Sequence, residues 1–211
     1  MRVSVGKKTL RLAQFAMLLA IEAVVCFTPL GSLPAVGPLV ATLGMVPVII
    51  TAIVMGTGAG SAMGAFAGLF SFLVWTFTPP PLSAPMAFVF TPAYPPGNFW
   101  SLVICFVPRI LVGTVAAACR NLFTRLKWKA PAAYLVSGAL GSLTNTVLVL
   151  GGIYLFFGSD YASAIHQTYG ALPALVGLTV LTNGLPEAVI GAVAAYFIGY
   201  PLRKHVRHNF E

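Results

Sequence analysis

Three ionisable side chains stand inside apolar runs of this sequence: Glu22 in RLAQFAMLLAIEAV, Arg109 in GNFWSLVICFVPRILVG and Glu187 in TNGLPEAV. At mid-bilayer such a group costs about 2.5–3.5 kcal/mol on insertion scales, so it normally faces a cavity or another polar group. Amides and hydroxyls accompany the charges. Asn98 and Trp100 open the Arg109 run, Thr144, Asn145 and Thr146 interrupt GSLTNTVLVLGG, and Asn183 precedes Glu187 by four residues. That spacing puts Asn183 and Glu187 on one face wherever a helix continues through them. Gly184 and Pro186 predict a break at that point, and a broken helix frees backbone groups that can bind a polar ligand.

Two readings of the charges stay open at this level. Arg109 contacts a ligand, or it pairs with Glu187 or Glu22 and fixes helix register. Glu22 lies about 16 Å along its helix from Arg11 at a rise of ~1.5 Å per residue, which puts it near mid-membrane. It faces an outer vestibule or pairs structurally.

Catalysis finds little support. His166 falls in a loop, and His205 and His208 fall in the tail, so no span carries a histidine base for an intramembrane nucleophile. H-E-x-x-H and Walker motifs are absent, and no span contains the aspartates of a paired metal site. The residue set suits binding of a small polar solute. A small membrane enzyme, such as a lipid-modifying transferase, and a stand-alone channel or assembly factor are the rival classes.

The elements that position these groups follow from composition. The 211 residues are 58% hydrophobic and 8% charged, with a mean hydropathy of +0.92. Soluble domains carry about 25% charged residues. This chain lacks the polar side chains to cover a surface in water, so it is read as an integral membrane protein. The net charge of +8 does not indicate nucleic acid, because nine of the twelve Lys and Arg fall in three short clusters. The clusters are Lys7, Lys8, Arg11; Arg125, Lys127, Lys129; and Arg203, Lys204, Arg207. Cys26, Cys105 and Cys119 lie in or at the ends of apolar runs without C-x-x-C spacing, as small apolar residues do. The N-terminus imitates a signal peptide, but Glu22 interrupts the apolar stretch and no small-x-small site ends it, which predicts a retained helix.

A spanning helix needs ~20 apolar residues. Six candidates emerge in one all-α domain over 1–211: 10–27, 39–55, 59–77, 98–118, 131–157 and 172–201. With both termini cytoplasmic, all three basic clusters fall inside, as the positive-inside rule requires. The segment 78–97 has seven prolines among twenty residues yet holds Met86, Phe88, Phe90 and Tyr94. It predicts an ordered outer cap rather than a linker. Segments 28–38 and 158–171 are the other outer loops. Gly56, Gly60, Gly64 and Gly68 form a ridge at four-residue spacing that permits close helix approach. Ala13, Ala16, Ala20 and Ala23 make a similar face on the first helix, looking inward or towards a partner.

These stretches, in this order and with MVPVIITAIVMG and GSLTNTVLVLGGIYLFF between them, resemble the substrate-binding S components of energy-coupling factor (ECF) vitamin transporters. The resemblance covers nearly the whole chain. It implies a six-helix subunit in the bacterial cell membrane that captures a vitamin outside. The subunit would dock on the EcfT coupling protein, driven by two cytoplasmic ATPases, and topple to release its cargo inward. ATP and magnesium then belong to the partner ATPases, and this chain carries no cofactor or metal. Ala16 and Ala20 take the A-x-x-x-A docking position of the family. Where relatives often have His before the proline of the second helix, this chain has Gly44-Met45-Val46-Pro47, so no ligand role is carried onto that segment.

Pantothenate-specific members look nearest in pattern, with folate and pyridoxine-type members sharing parts of it. Pantothenate would place its carboxylate on Arg109, a charge-assisted contact in a low-dielectric pocket. Asn98, Thr144, Asn145 and Asn183 would meet its amide and hydroxyls. Phe90, Tyr94 and Trp100 would close over its dimethyl group. Glu187 would accept a hydroxyl or balance Arg109.

Overall fold

Glycine punctuates the start of the bundle. In the computed structural model, which describes residues 6–28 and 43–208, Gly56 sits at φ +97 between α2 (Met45–Met55) and α3 (Thr57–Phe77). Side chains with a Cβ rarely adopt that conformation, so this glycine lets two helices meet without a loop. α1 is Lys7–Phe27, α4 is Phe99–Arg125 and α5 is Ala130–Ala164. The last rod joins α6 (Leu172–Thr179), α7 (Leu185–Ala194) and α8 (Tyr200–His208) through π-helical turns at Val180–Gly184 and Ala195–Gly199. Among the described residues there is no strand.

Among the described residues, five helical rods are long and apolar enough to cross a membrane. α2 is the exception at 11 residues, about 16 Å long against a hydrocarbon core of ~30 Å. Of the expected span 39–55, residues 39–42 lie outside the described residues, and the rest is this short helix entered through a turn at Leu43 and Gly44. The expected outer loop 28–38 lies outside the described residues apart from Thr28. The loop expected at 158–171 is mostly helix: α5 kinks where Phe157 leaves helical geometry and then continues to Ala164, burying Tyr161 and Ala162. The break expected at Gly184–Pro186 is a π turn instead. The wider turn absorbs the missing proline N–H without interrupting the rod.

The glycine ridge is a helix seam. A Cβ added at Gly60 would meet Ala52 and the Gly113 carbonyl, one at Gly64 would meet the Arg109 backbone, and one at Gly68 would meet Phe106. α3 and α4 thus run antiparallel with their backbones nearly touching. Gly138 on α5 and Gly191 on α7 make a second such crossing. Two buried apolar clusters fill the bundle, one around Ile49, Ile53, Met63 and Val112, the other around Trp75, Phe88, Ile104, Phe157 and Leu172.

Helix contacts gather the basic clusters at one end. Phe15 and Phe27 on α1 pack on Phe66 and Phe70, so α1 starts beside the start of α3. Arg203 Nη1 donates to Ile53 O at 2.6 Å, and Tyr134 packs on Tyr200. The ends of α2 and α4 and the starts of α5 and α8 therefore share that level. α1 clings loosely: Glu22 is its one buried residue among those described.

Candidate functional site

The placement of Arg109 follows from its neighbour. Pro108 has no backbone N–H, so the carbonyl four residues back, Ile104 O, loses its helical donor. Arg109 replaces it, donating from Nη1 to Ile104 O at 2.8 Å. A guanidinium has more N–H donors than that bond uses. Its Cζ also lies 5.1 Å from the centroid of the Phe90 ring, in cation–π range. Among the described residues no carboxylate forms an ion pair with it. The register-fixing pair with Glu187 or Glu22 is therefore not made.

Asn183 comes from the π turn and Glu187 from the first turn of α7. Both are buried, and Thr146 Oγ1 on α5 donates to Glu187 Oε2 at 3.0 Å. The absence of side chains at Gly184, against Thr146, and at the Gly138–Gly191 crossing lets α5 and α7 approach closely enough for that bond.

The proline-rich segment closes one end. A 3-10 helix at Pro81–Val89 buries Met86, Phe88 and Val89, and Phe90 and Thr91 after it. Ser101 Oγ donates to Phe88 O at 2.6 Å, Phe88 packs edge-on against Phe157, and Phe90 lies 4.7 Å from Trp75 between ring centroids. The prolines stiffen this cap and the aromatics glue it down.

Beneath it lies a cavity of about 540 Å³. Glu22, Arg109, Asn145, Thr146, Asn183 and Glu187 supply its polar wall, and Phe90, Trp75, Val48, Val112, Val149 and Leu150 much of its apolar wall. Of the residues singled out from sequence, Glu22, Arg109, Asn145, Thr146, Asn183, Glu187 and Phe90 are brought together here. Four others are not. The Asn98 side chain accepts from Trp100 N at 2.9 Å and forms a capping box with Ser101 at the start of α4. Trp100 stacks on Phe156 with 3.9 Å between centroids, 43% exposed. Tyr94 donates to Thr76 O at 3.0 Å, and Thr144 turns its hydroxyl back to Leu140 O at 2.7 Å. Ala16 and Ala20 are both exposed on α1.

Sequence reasoning missed Ser71, Trp75, Cys26, Gly44 and Met45 in the wall. The signal for the α3 pair was legible: Ala67, Ser71 and Trp75 recur at four-residue spacing beside the glycine ridge. On α5, Asn145, Thr146, Val149 and Leu150 make one helical face, which Thr144 leaves. Nothing in Gly44-Met45 announces a cavity without the fold.

The cavity brings cation, amides and carboxyl groups together around a largely apolar space, which is a binding arrangement. A family model described as "ECF transporter, substrate-specific component" matches residues 10–199. The pantothenic acid transporter PanT of Lactococcus lactis subsp. cremoris (strain MG1363) is 34% identical over 177 residues, 82% of each chain. The solved structure of ThiT from Listeria monocytogenes superposes with a TM-score of 0.59 over 93% of this chain and 99% of that one, at 16% identity, a likeness of fold. A binding cavity inside an apolar helical bundle and a family match over nearly the whole length lead to one conclusion: the chain belongs to the substrate-specific components of ECF transporters, and is a membrane-embedded transport subunit rather than an enzyme.

Proposed function

We propose that the cavity binds pantothenate, with its carboxylate on Arg109. The observation that carries this reading is a guanidinium facing a largely apolar cavity with no described carboxylate paired to it. An anionic ligand offsets the cost of placing that charge there. The volume of about 540 Å³ lies in the usual range for small-molecule pockets. Asn145, Asn183 and Glu187 meet the amide and hydroxyls of the ligand, and Phe90 and Trp75 cover its dimethyl group. The 34% identity to a pantothenic acid transporter supports the same choice.

The rest of the cycle belongs to the same reading. Both termini are cytoplasmic, the cap faces outward, and the exposed Ala16 and Ala20 meet the EcfT coupling protein. Two ATPases drive toppling and inward release. Calorimetry of a vitamin panel on purified protein tests the substrate. Micromolar or tighter binding of pantothenate is expected. Pantothenate binding no tighter than millimolar, beside micromolar binding of folate or a pyridoxine-type vitamin, overturns it.

A further inference from the structure

Four buried side-chain atoms among the described residues have no hydrogen-bond partner: Gln14 Oε1, Glu22 Oε2, Arg120 Nε and Asn145 Oδ1. Two of them, Glu22 Oε2 and Asn145 Oδ1, belong to residues of the cavity wall, and both are acceptors. A buried acceptor left unmet costs about 1–3 kcal/mol. Glu22 is the extreme case. It is 0% exposed, and its other oxygen receives only the weak thiol donor of Cys26 at 3.2 Å.

Its position sharpens the point. Glu22 is the one buried residue of α1, while its neighbours Ile21 and Val24 are 47% and 52% exposed. A helix that needed only to rest against the bundle would present an apolar side chain there. A carboxyl group turned inward with one oxygen unmet suits a ligand that brings a hydrogen-bond donor to it.

We infer that Glu22 is a specificity-determining residue of the binding site, its Oε2 accepting a hydrogen bond from a hydroxyl of the bound vitamin. This deepens the pantothenate reading and rests on it, since pantothenate offers two hydroxyls and an amide N–H. Arg109 reads the anionic end of the cargo, and Glu22 reads a neutral donor further along it. Because Glu22 is closed to water in this state, the ligand reaches it by displacing a neighbouring wall side chain.

The test uses the full-length purified protein, its Glu22→Gln and Glu22→Met variants, and three ligands: pantothenate and its two counterparts that each lack one hydroxyl. Melting temperature in detergent checks folding, and the apolar Met variant serves if Gln fails to fold. The expected result is a roughly 10–100-fold loss of pantothenate affinity in the variants. For one of the deoxy counterparts, wild type and variants should bind alike. Folded variants that bind pantothenate as wild type does, or a wild-type-to-variant ratio that is the same for all three ligands, overturn the inference. If wild type instead binds another vitamin, the substrate reading fails by itself. The ratio measured on that vitamin then decides for Glu22: a loss of tenfold or more supports it, and none overturns it.

Discussion

Alanine in place of Gly64 should reach the site through the backbone. A Cβ there would stand 2.7 Å from the Arg109 carbonyl carbon and 2.8 Å from Ile110 Cα, where ordinary contact begins at 3.4 Å. Both neighbours are main-chain atoms of α4, so no side chain can swing aside. α4 has to retreat by about 1 Å to restore contact distances, and overpacking of this kind typically costs about 1–3 kcal/mol of stability. Arg109 moves with the helix, which changes its place relative to Phe90 and to the wall residues on α5 and α7. A charge-assisted hydrogen bond is worth about 1.5–3 kcal/mol, so misaligning it should weaken pantothenate binding by roughly 10-fold or more. The control is Gly58→Ala on the same helix, where an added Cβ meets nothing within 4 Å. That change should leave binding alone and be neutral or slightly stabilising. Calorimetry with pantothenate and thermal melting in detergent read both effects. A Gly64→Ala protein that melts and binds like Gly58→Ala would refute the idea that the α3–α4 seam positions the cation.

Two further outcomes follow from residues placed away from the cavity. Asn98→Ala removes the capping box of α4 and should cost about 1 kcal/mol of stability, with pantothenate affinity at the wild-type value by calorimetry. Ala16→Trp or Ala20→Trp should abolish uptake in cells expressing the whole transporter while the purified variant still binds pantothenate. Loss of binding in those variants would mean that the alanines serve the cavity rather than a partner.

Much of the architecture was legible because bilayer chemistry leaves few choices. Apolar runs must be helical where backbone groups have no water to bond, and the glycine ridge required close packing before its partner α4 was known. The burial of Phe88 and Phe90 in the proline-rich cap followed from large apolar side chains in a segment too stiff to be a linker. What resisted reading was rotation and local geometry. Asn98 and Trp100 share the run with Arg109, yet a cap at one end and a lipid-side stack turn them from the cavity. Thr144 and Asn145 are adjacent, but a helix rotates successive residues by about 100°, and of the two only Asn145 lines the cavity. The Pro108–Arg109 pair looked like two separate defects. In three dimensions the arginine satisfies the carbonyl that the proline orphans. The π turn at Val180–Gly184 was likewise hidden, because Gly and Pro signal an interruption without saying whether the helix breaks or widens.

The central claim is that Arg109 reads an anionic carboxylate in the cavity. Its most direct test is a comparison of pantothenate with panthenol, the neutral alcohol counterpart, on wild-type and Arg109→Ala proteins by calorimetry. The account predicts that wild type prefers pantothenate by roughly 10-fold or more. It also predicts that Arg109→Ala stays folded and loses that preference. Equal binding of the two ligands by wild type, or a preference that survives in Arg109→Ala, would contradict it.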